Sequence, residues 1–130
     1  MRETASGSGG TLRSLGQINI APDAIAMVAG IAAMECYGVV GMASRGFQDG
    51  IAELFRSGEN LTKGIEVSID GEDVSVALYV IVEYGTRIRE VARNVVERVR
   101  YTVESQLGLV VSNVNVIVQG VRTGVRGTAQ

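Results

Sequence analysis

The side chains able to do chemistry in this chain are carboxylates, a single thiol and a run of arginines. Glu83 stands beside Tyr84, and Asp70 and Glu72 lie close to Asp73. Paired carboxylates do acid and base work when burial or a like charge pushes one pKa up. Here Asp70, Glu72 and Asp73 flank a surface turn, where they are expected to be solvated. Glu83 and Tyr84 mark a strand-to-helix corner, which they either fix or present to a partner. The chain has no histidine and one cysteine. That removes histidine-activated nucleophiles, histidine metal ligation and the usual neutral-pH acid or base. Cys36 has no second cysteine to pair with and lies in an apolar run, so it reads as a small buried hydrophobe. The expectation is a non-enzyme with no metal and no cofactor.

The arginines are the more distinctive set. Arg87, Arg89, Arg93, Arg98 and Arg100 alternate with Glu90, Glu97 and Glu104. Arg93 to Glu97 and Arg100 to Glu104 have the spacing at which opposite charges support a helix by roughly 0.2–0.5 kcal/mol per pair. Such a face is either merely solvated or binds a partner. The partner-binding reading takes Arg87, Arg89, Arg93 and Arg100 together with Glu83 and Tyr84. Of 12 basic residues 11 are arginine, the residue that makes forked contacts to carboxylates and phosphates. Residues 1–86 carry 5 basic and 11 acidic groups, whereas residues 87–130 carry 7 and 3. That split permits head-to-tail self-association or an acidic partner.

The elements that must position these residues are legible from periodicity. Ile65, Val67 and Ile69 alternate with Glu66, Ser68 and Asp70, which is the pattern of a half-buried strand. Asp70 and Gly71 suit a tight turn. Val74, Val76, Leu78, Val80 and Val82 then form one face of a second, antiparallel strand. Thr86 is placed to cap a helix in which Ile88, Val91, Ala92, Val95, Val96, Val99 and Val103 recur at helical spacing.

Earlier in the chain, Leu15 to Ile20 alternates as a short strand. Pro22 and Asp23 open a helix that Gly38 is placed to stop. From Ala24 to Met34 that helix carries no charged or hydrogen-bonding side chain. It is therefore either sandwiched inside the domain or packed against another subunit, through Ala26, Met27, Gly30 and Met34. Val39 to Met42 reads as a brief strand. Phe47, Ile51, Leu54 and Phe55 suggest a short amphipathic helix ended by Ser57 and Gly58, and Val110 to Val118 a final strand after Gly108. The order β-α-β-(short α)-β-β-α-β implies an α+β fold: a small mixed sheet with two long helices packed on one face. A single domain over residues 14–121 is expected between polar, Gly-containing tails at 1–13 and 122–130. No apolar run approaches the ~20 residues of a membrane span, and no secretory signal is evident.

Several segments together resemble a known family. They are Gly16-Gln17-Ile18-Asn19-Ile20, Gly38-Val39-Val40-Gly41-Met42, Thr62-Lys63-Gly64-Ile65, Val82-Glu83-Tyr84-Gly85, Ile88 with Val91 and Val95, and Val114-Asn115-Val116 leading to Val118-Gln119-Gly120-Val121. In this order they look like the alkaline shock protein family, also called the Gls-type envelope stress response family, of Gram-positive bacteria. The resemblance implies a small cytoplasmic non-enzyme of cell-envelope homeostasis and stress response. It further implies an oligomer acting by protein-protein interaction, held near the membrane by a separate anchor protein.

The competing reading is an RNA- or other nucleic-acid-binding module. The order β-α-β-β-α-β is shared with RNA-recognition domains, and the arginine-rich helix could face phosphates. Against it stand the chain's net charge of −2 and Tyr79 as the one stacking candidate on the central strands.

Overall fold

The structure, a computed structural model, describes residues 18–44, 54–56 and 58–123. Helix α1 spans Pro22–Met34, strand β1 Val39–Ala43 and strand β2 Leu54–Phe55. A 3-10 helix at Gly58–Gly64 leads into β3 at Ile65–Asp70, followed by β4 at Asp73–Glu83, helix α2 at Ile88–Leu107 and β5 at Val111–Arg122. The fold is α+β, with a five-stranded mixed sheet and both helices on one face.

Strand β4 is the axis of the sheet. β5 runs parallel to it from Val74 to Glu83. β3 pairs antiparallel with residues 73–78, and β1 pairs antiparallel with residues 80–82. A strand has two edges, so β3 and β1 share one of them end to end while β5 takes the whole of the other. With both edges of β4 occupied, its Val74, Val76, Leu78, Val80 and Val82 face the helices and are all buried beneath them.

Helix α2 sets Val91, Val95, Val99 and Val103 on that surface. Valine costs a helix up to about 0.7 kcal/mol in propensity, whereas burying its side chain stabilises by roughly 1.5–3 kcal/mol, so packing decides. Gly108, at φ 73°, ends the helix with its N–H donated to Glu104 O at 3.0 Å.

Helix α1 is held on three sides. Ile25, Ala26, Ala29, Ala32 and Ala33 are buried in the same cluster as α2 and the sheet. Gly30 meets the 3-10 helix: a Cβ there would lie 3.0 Å from Ile65 Cδ1 and 3.1 Å from Leu61 Cβ. The 3-10 helix is pressed in turn on β1, for a Cβ on Gly64 would lie 2.5 Å from Ala43 O.

Several expectations are corrected. Residues 18–20 form no strand and Ile18 is exposed; the rest of that expected strand lies outside the described residues. Of the short helix expected over Phe47 to Phe55, residues 47–53 lie outside the described residues, and Leu54–Phe55 is strand, paired Met42↔Phe55 and Ala43↔Leu54. Phe55 is buried in the core cluster, with the Lys63 ammonium 5.7 Å from its ring centre.

The hairpin turn falls on Gly71 and Glu72, because Asp70 pairs with Asp73. α1 stops at Met34 through N–H bonds from Glu35 to Ala32 O and Cys36 to Ala33 O, before Gly38 is reached. β5 continues to Arg122, past the expected end of the strand at Val118, with Val121 and Arg122 pairing with Val82 and Glu83.

Candidate partner-binding surface

The corner between β4 and α2 is built by local backbone bonds. Glu83 N donates to Gly38 O at 2.8 Å and Tyr84 N donates to Arg122 O at 2.8 Å, so the loop is tied to β1 on one side and β5 on the other. Gly85 takes φ 96°, a backbone state glycine reaches without strain. Thr86 Oγ1 then donates to Glu83 O at 2.7 Å. That bond corrects the expected cap: Arg87 occupies the cap position without a side-chain cap bond, and Thr86 closes the turn instead.

The corner thereby presents Tyr84, 70% exposed, beside exposed Arg87 and Ile88. Arg87 Nη1 lies 3.9 Å from Glu90 Oε2 on a fully solvated flank, a contact that adds little stability. Glu83, half-buried, anchors the loop through its backbone.

The arginines of α2 divide into two groups. Arg89 and Arg93 are exposed, and among the described residues neither makes an ion pair. The expected Arg93–Glu97 pair is absent. Arg100 is not a free partner-binding group: its Nη1 donates to Val111 O at 2.6 Å, while Glu104 Oε2 accepts from Val111 N at 2.9 Å. The two side chains grip both backbone groups of Val111 and set the start of β5, which replaces the expected pair between them.

Arg98 reaches the other way, to Glu35, with 2.9 and 3.3 Å bonds that hold its guanidinium still more firmly protonated. Beside it the Cys36 thiol is half-buried with Sγ 3.6 Å from Ala32 O, and burial pushes its pKa up, offset in part by Arg98.

The residues expected to mediate self-association fall differently. Ala26 and Gly30 are buried against the 3-10 helix and β3, so they are core residues and not a surface. Met27 and Met34 are half-buried. Sequence reasoning missed Ile31, 49% exposed, and Tyr101, which line a shallow groove with Val28, Glu35 and Arg98 between the helices. A helical projection of Arg98 and Tyr101 would have placed them on the flank facing α1. It also missed exposed Tyr37, which precedes the glycine bonded to Glu83 and so flanks the same corner as Tyr84.

The other chemistries find no support in geometry. Asp70 and Glu72 stay in solvent, and Asp73 accepts from Ser112 Oγ at 3.1 Å. Among the described residues no three His, Cys, Asp or Glu side chains gather as a metal site. Tyr79 lies on the sheet face away from the helices, with its hydroxyl 3.4 Å from Glu66 Oε1. The stacking candidate and the arginine helix therefore occupy opposite sides of the sheet.

The family model that matches residues 11–123 is described as the Asp23 family, cell envelope-related function; the family's name is unrelated to residue Asp23. This chain belongs to the Asp23 family. It is 52% identical over 108 residues to the uncharacterized protein YloU of Bacillus subtilis, covering 82% of this chain and 89% of that protein. It is 44% identical over 108 residues to the uncharacterized protein Spy1614 of Streptococcus pyogenes, covering 82% and 88%. A second Bacillus subtilis relative, YqhY, is 33% identical over 108 residues, covering 83% and 78%. No solved structure matches the chain significantly. The Asp23-family assignment agrees with the alkaline-shock resemblance read from the sequence and carries the cell envelope-related function. Among the described residues no helix is long and apolar enough to cross a membrane.

Proposed function

We propose that this chain is a non-enzymatic cytoplasmic protein of cell-envelope homeostasis and envelope stress response. It self-associates and binds protein partners close to the membrane, where a separate anchor protein holds it. The observation that carries this reading is the surface joining the β4–α2 corner to the outer flank of α2. There Tyr84, largely exposed, stands with exposed Arg87 and Ile88 on a corner tied to three strands, and α2 leads away from it carrying the exposed arginines Arg89 and Arg93 along its β5 side. Tyrosine and arginine are the residue types that dominate protein interfaces, because each offers a large contact area with a polar end. Family membership supplies the envelope context.

The test is photo-crosslinking in cells, with the reactive side chain placed at Tyr84 or Arg93 and, as control, at Ser68 on the opposite sheet face. The reading expects adducts to this same chain and to envelope-associated proteins from the first two positions only. Equal adducts from Ser68, or none from any position, would sink it.

A further inference from the structure

The edge strands β3 and β5 are protected very differently. β3 is 6 residues long and carries Glu66 and Asp70, with Glu72 and Asp73 at its turn. Short length and charge are the ordinary means of keeping an edge from pairing with another chain. β5 is 12 residues long, and among the described residues it pairs only with β4. From Val111 to Val121 it contains no charge and no proline. Its helix-side residues lose cover along the strand: Val114 is 7% exposed, Val116 and Val118 are half-buried, and Val121 is 44% exposed.

The helix above this edge supplies a charge. The Arg100 bond to Val111 O fixes which side of α2 faces β5. Seven and eleven residues are close to whole turns of a helix, so Arg93 and Arg89 lie within about 20° of that same direction. They project over the open edge, exposed and without an ion pair among the described residues.

We propose that the free edge of β5 accepts an extended segment of a partner protein as an added strand, and that Arg89 and Arg93 select acidic side chains on its helix side. Backbone bonds to β5 supply affinity without sequence preference, and side chains at alternate positions supply the choice. A second copy is a poorer occupant. Its own β5, brought up by a two-fold axis, would set the Arg89 and Arg93 rows facing each other. Its acidic strand β3 carries Glu66 on the face away from the helices, beside Tyr79. The inference rests on the partner-binding half of the proposed function and assigns it a surface.

The test uses the intact chain and a short synthetic peptide alternating valine and glutamate, with a valine–lysine counterpart and a backbone N-methylated version as controls. Amide exchange and chemical shifts are followed by nuclear magnetic resonance. The acidic peptide is expected to protect those β5 amides not bonded to β4, with affinity that falls as salt rises. N-methylation should abolish the protection, and Arg89→Glu with Arg93→Glu should weaken binding about tenfold while β4 amides stay protected.

Equal binding of the lysine peptide, or no protection of β5 at low salt, overturns the proposal. So does β5 protection that grows with protein concentration in the absence of peptide, which would give the edge to a second copy. If crosslinks to partners form at Tyr84 while β5 stays unprotected, the edge assignment falls and the partner-binding reading stands.

Discussion

α1 and α2 lie side by side on one face of one sheet, yet α1 is apolar nearly all round, whereas seven of the 20 residues of α2 are arginine or glutamate. The difference follows from the number of neighbours. α1 is enclosed by the sheet, by α2 and by the 3-10 helix, and its small residues let all three approach. α2 meets the sheet and α1, and among the described residues nothing packs beyond it where it sits over the edge strand β5. One helix therefore carries stability, and the other divides itself between a valine column that packs and a flank that is free to meet other molecules.

The sharpest way to break this comparison is a charge in each helix. Ala26 is 4% exposed, so Ala26→Glu buries a carboxylate with no partner; the expected loss is several kcal/mol, against a total of about 5–15 kcal/mol for a domain. Arg93→Glu, on the exposed flank, should stay within about 0.5 kcal/mol. Thermal unfolding by circular dichroism reads both, and similar losses would remove the distinction.

Gly64→Ala tests the third neighbour of α1. Its Cβ would lie 2.5 Å from a backbone oxygen of β1 that cannot swing aside, so the 3-10 helix must shift, at about 1–3 kcal/mol. An unchanged denaturation midpoint would mean that the 3-10 helix is not pressed on β1.

Within α2, Arg100 and Arg93 share one direction but not one role. Arg100→Ala leaves Val111 O without its donor and should cost about 1–3 kcal/mol, whereas Arg93→Ala should be nearly silent. Chemical denaturation of the two variants separates them.

The smallest effect concerns the junction of the helices. Burial raises the Cys36 thiol pKa in the folded chain. Stability from the protonated thiol is then fully present below the ordinary thiol pKa and is lost as pH rises through the raised value. Melting temperatures taken from neutral into alkaline pH should fall more steeply for the native chain than for Cys36→Ala, and parallel slopes would contradict the assignment.

How much of this was legible in the sequence depended on whether a signal was local. The β3–β4 hairpin and the valine column of α2 follow from strict periodicities, and the structure reproduces their faces except at Ile69 and Ile88, apolar positions of those patterns that are exposed. The apolar α1 left burial and subunit contact open because composition does not say how many neighbours an element has; Leu61 and Ile65 against Gly30 supply that answer. The pairing of Arg100 with Glu104 looked like an intrahelical ion pair because both had the right spacing. Only the fold places the Val111 backbone between them. Leu54 and Phe55 read as the end of a helical stripe, whereas β1 offered them a strand edge, and tertiary pairing outweighed local pattern.

The most direct measurement is light scattering coupled to size-exclusion chromatography over a concentration series, comparing the native chain with a Tyr84→Ala, Arg87→Glu variant whose melting temperature is recorded alongside. The native chain is expected to form species larger than one copy as concentration rises. The variant should remain a single copy and melt at nearly the same temperature. A native chain that stays monomeric throughout would contradict self-association. Assembly that the variant leaves untouched would contradict its placement at the corner of β4 and α2.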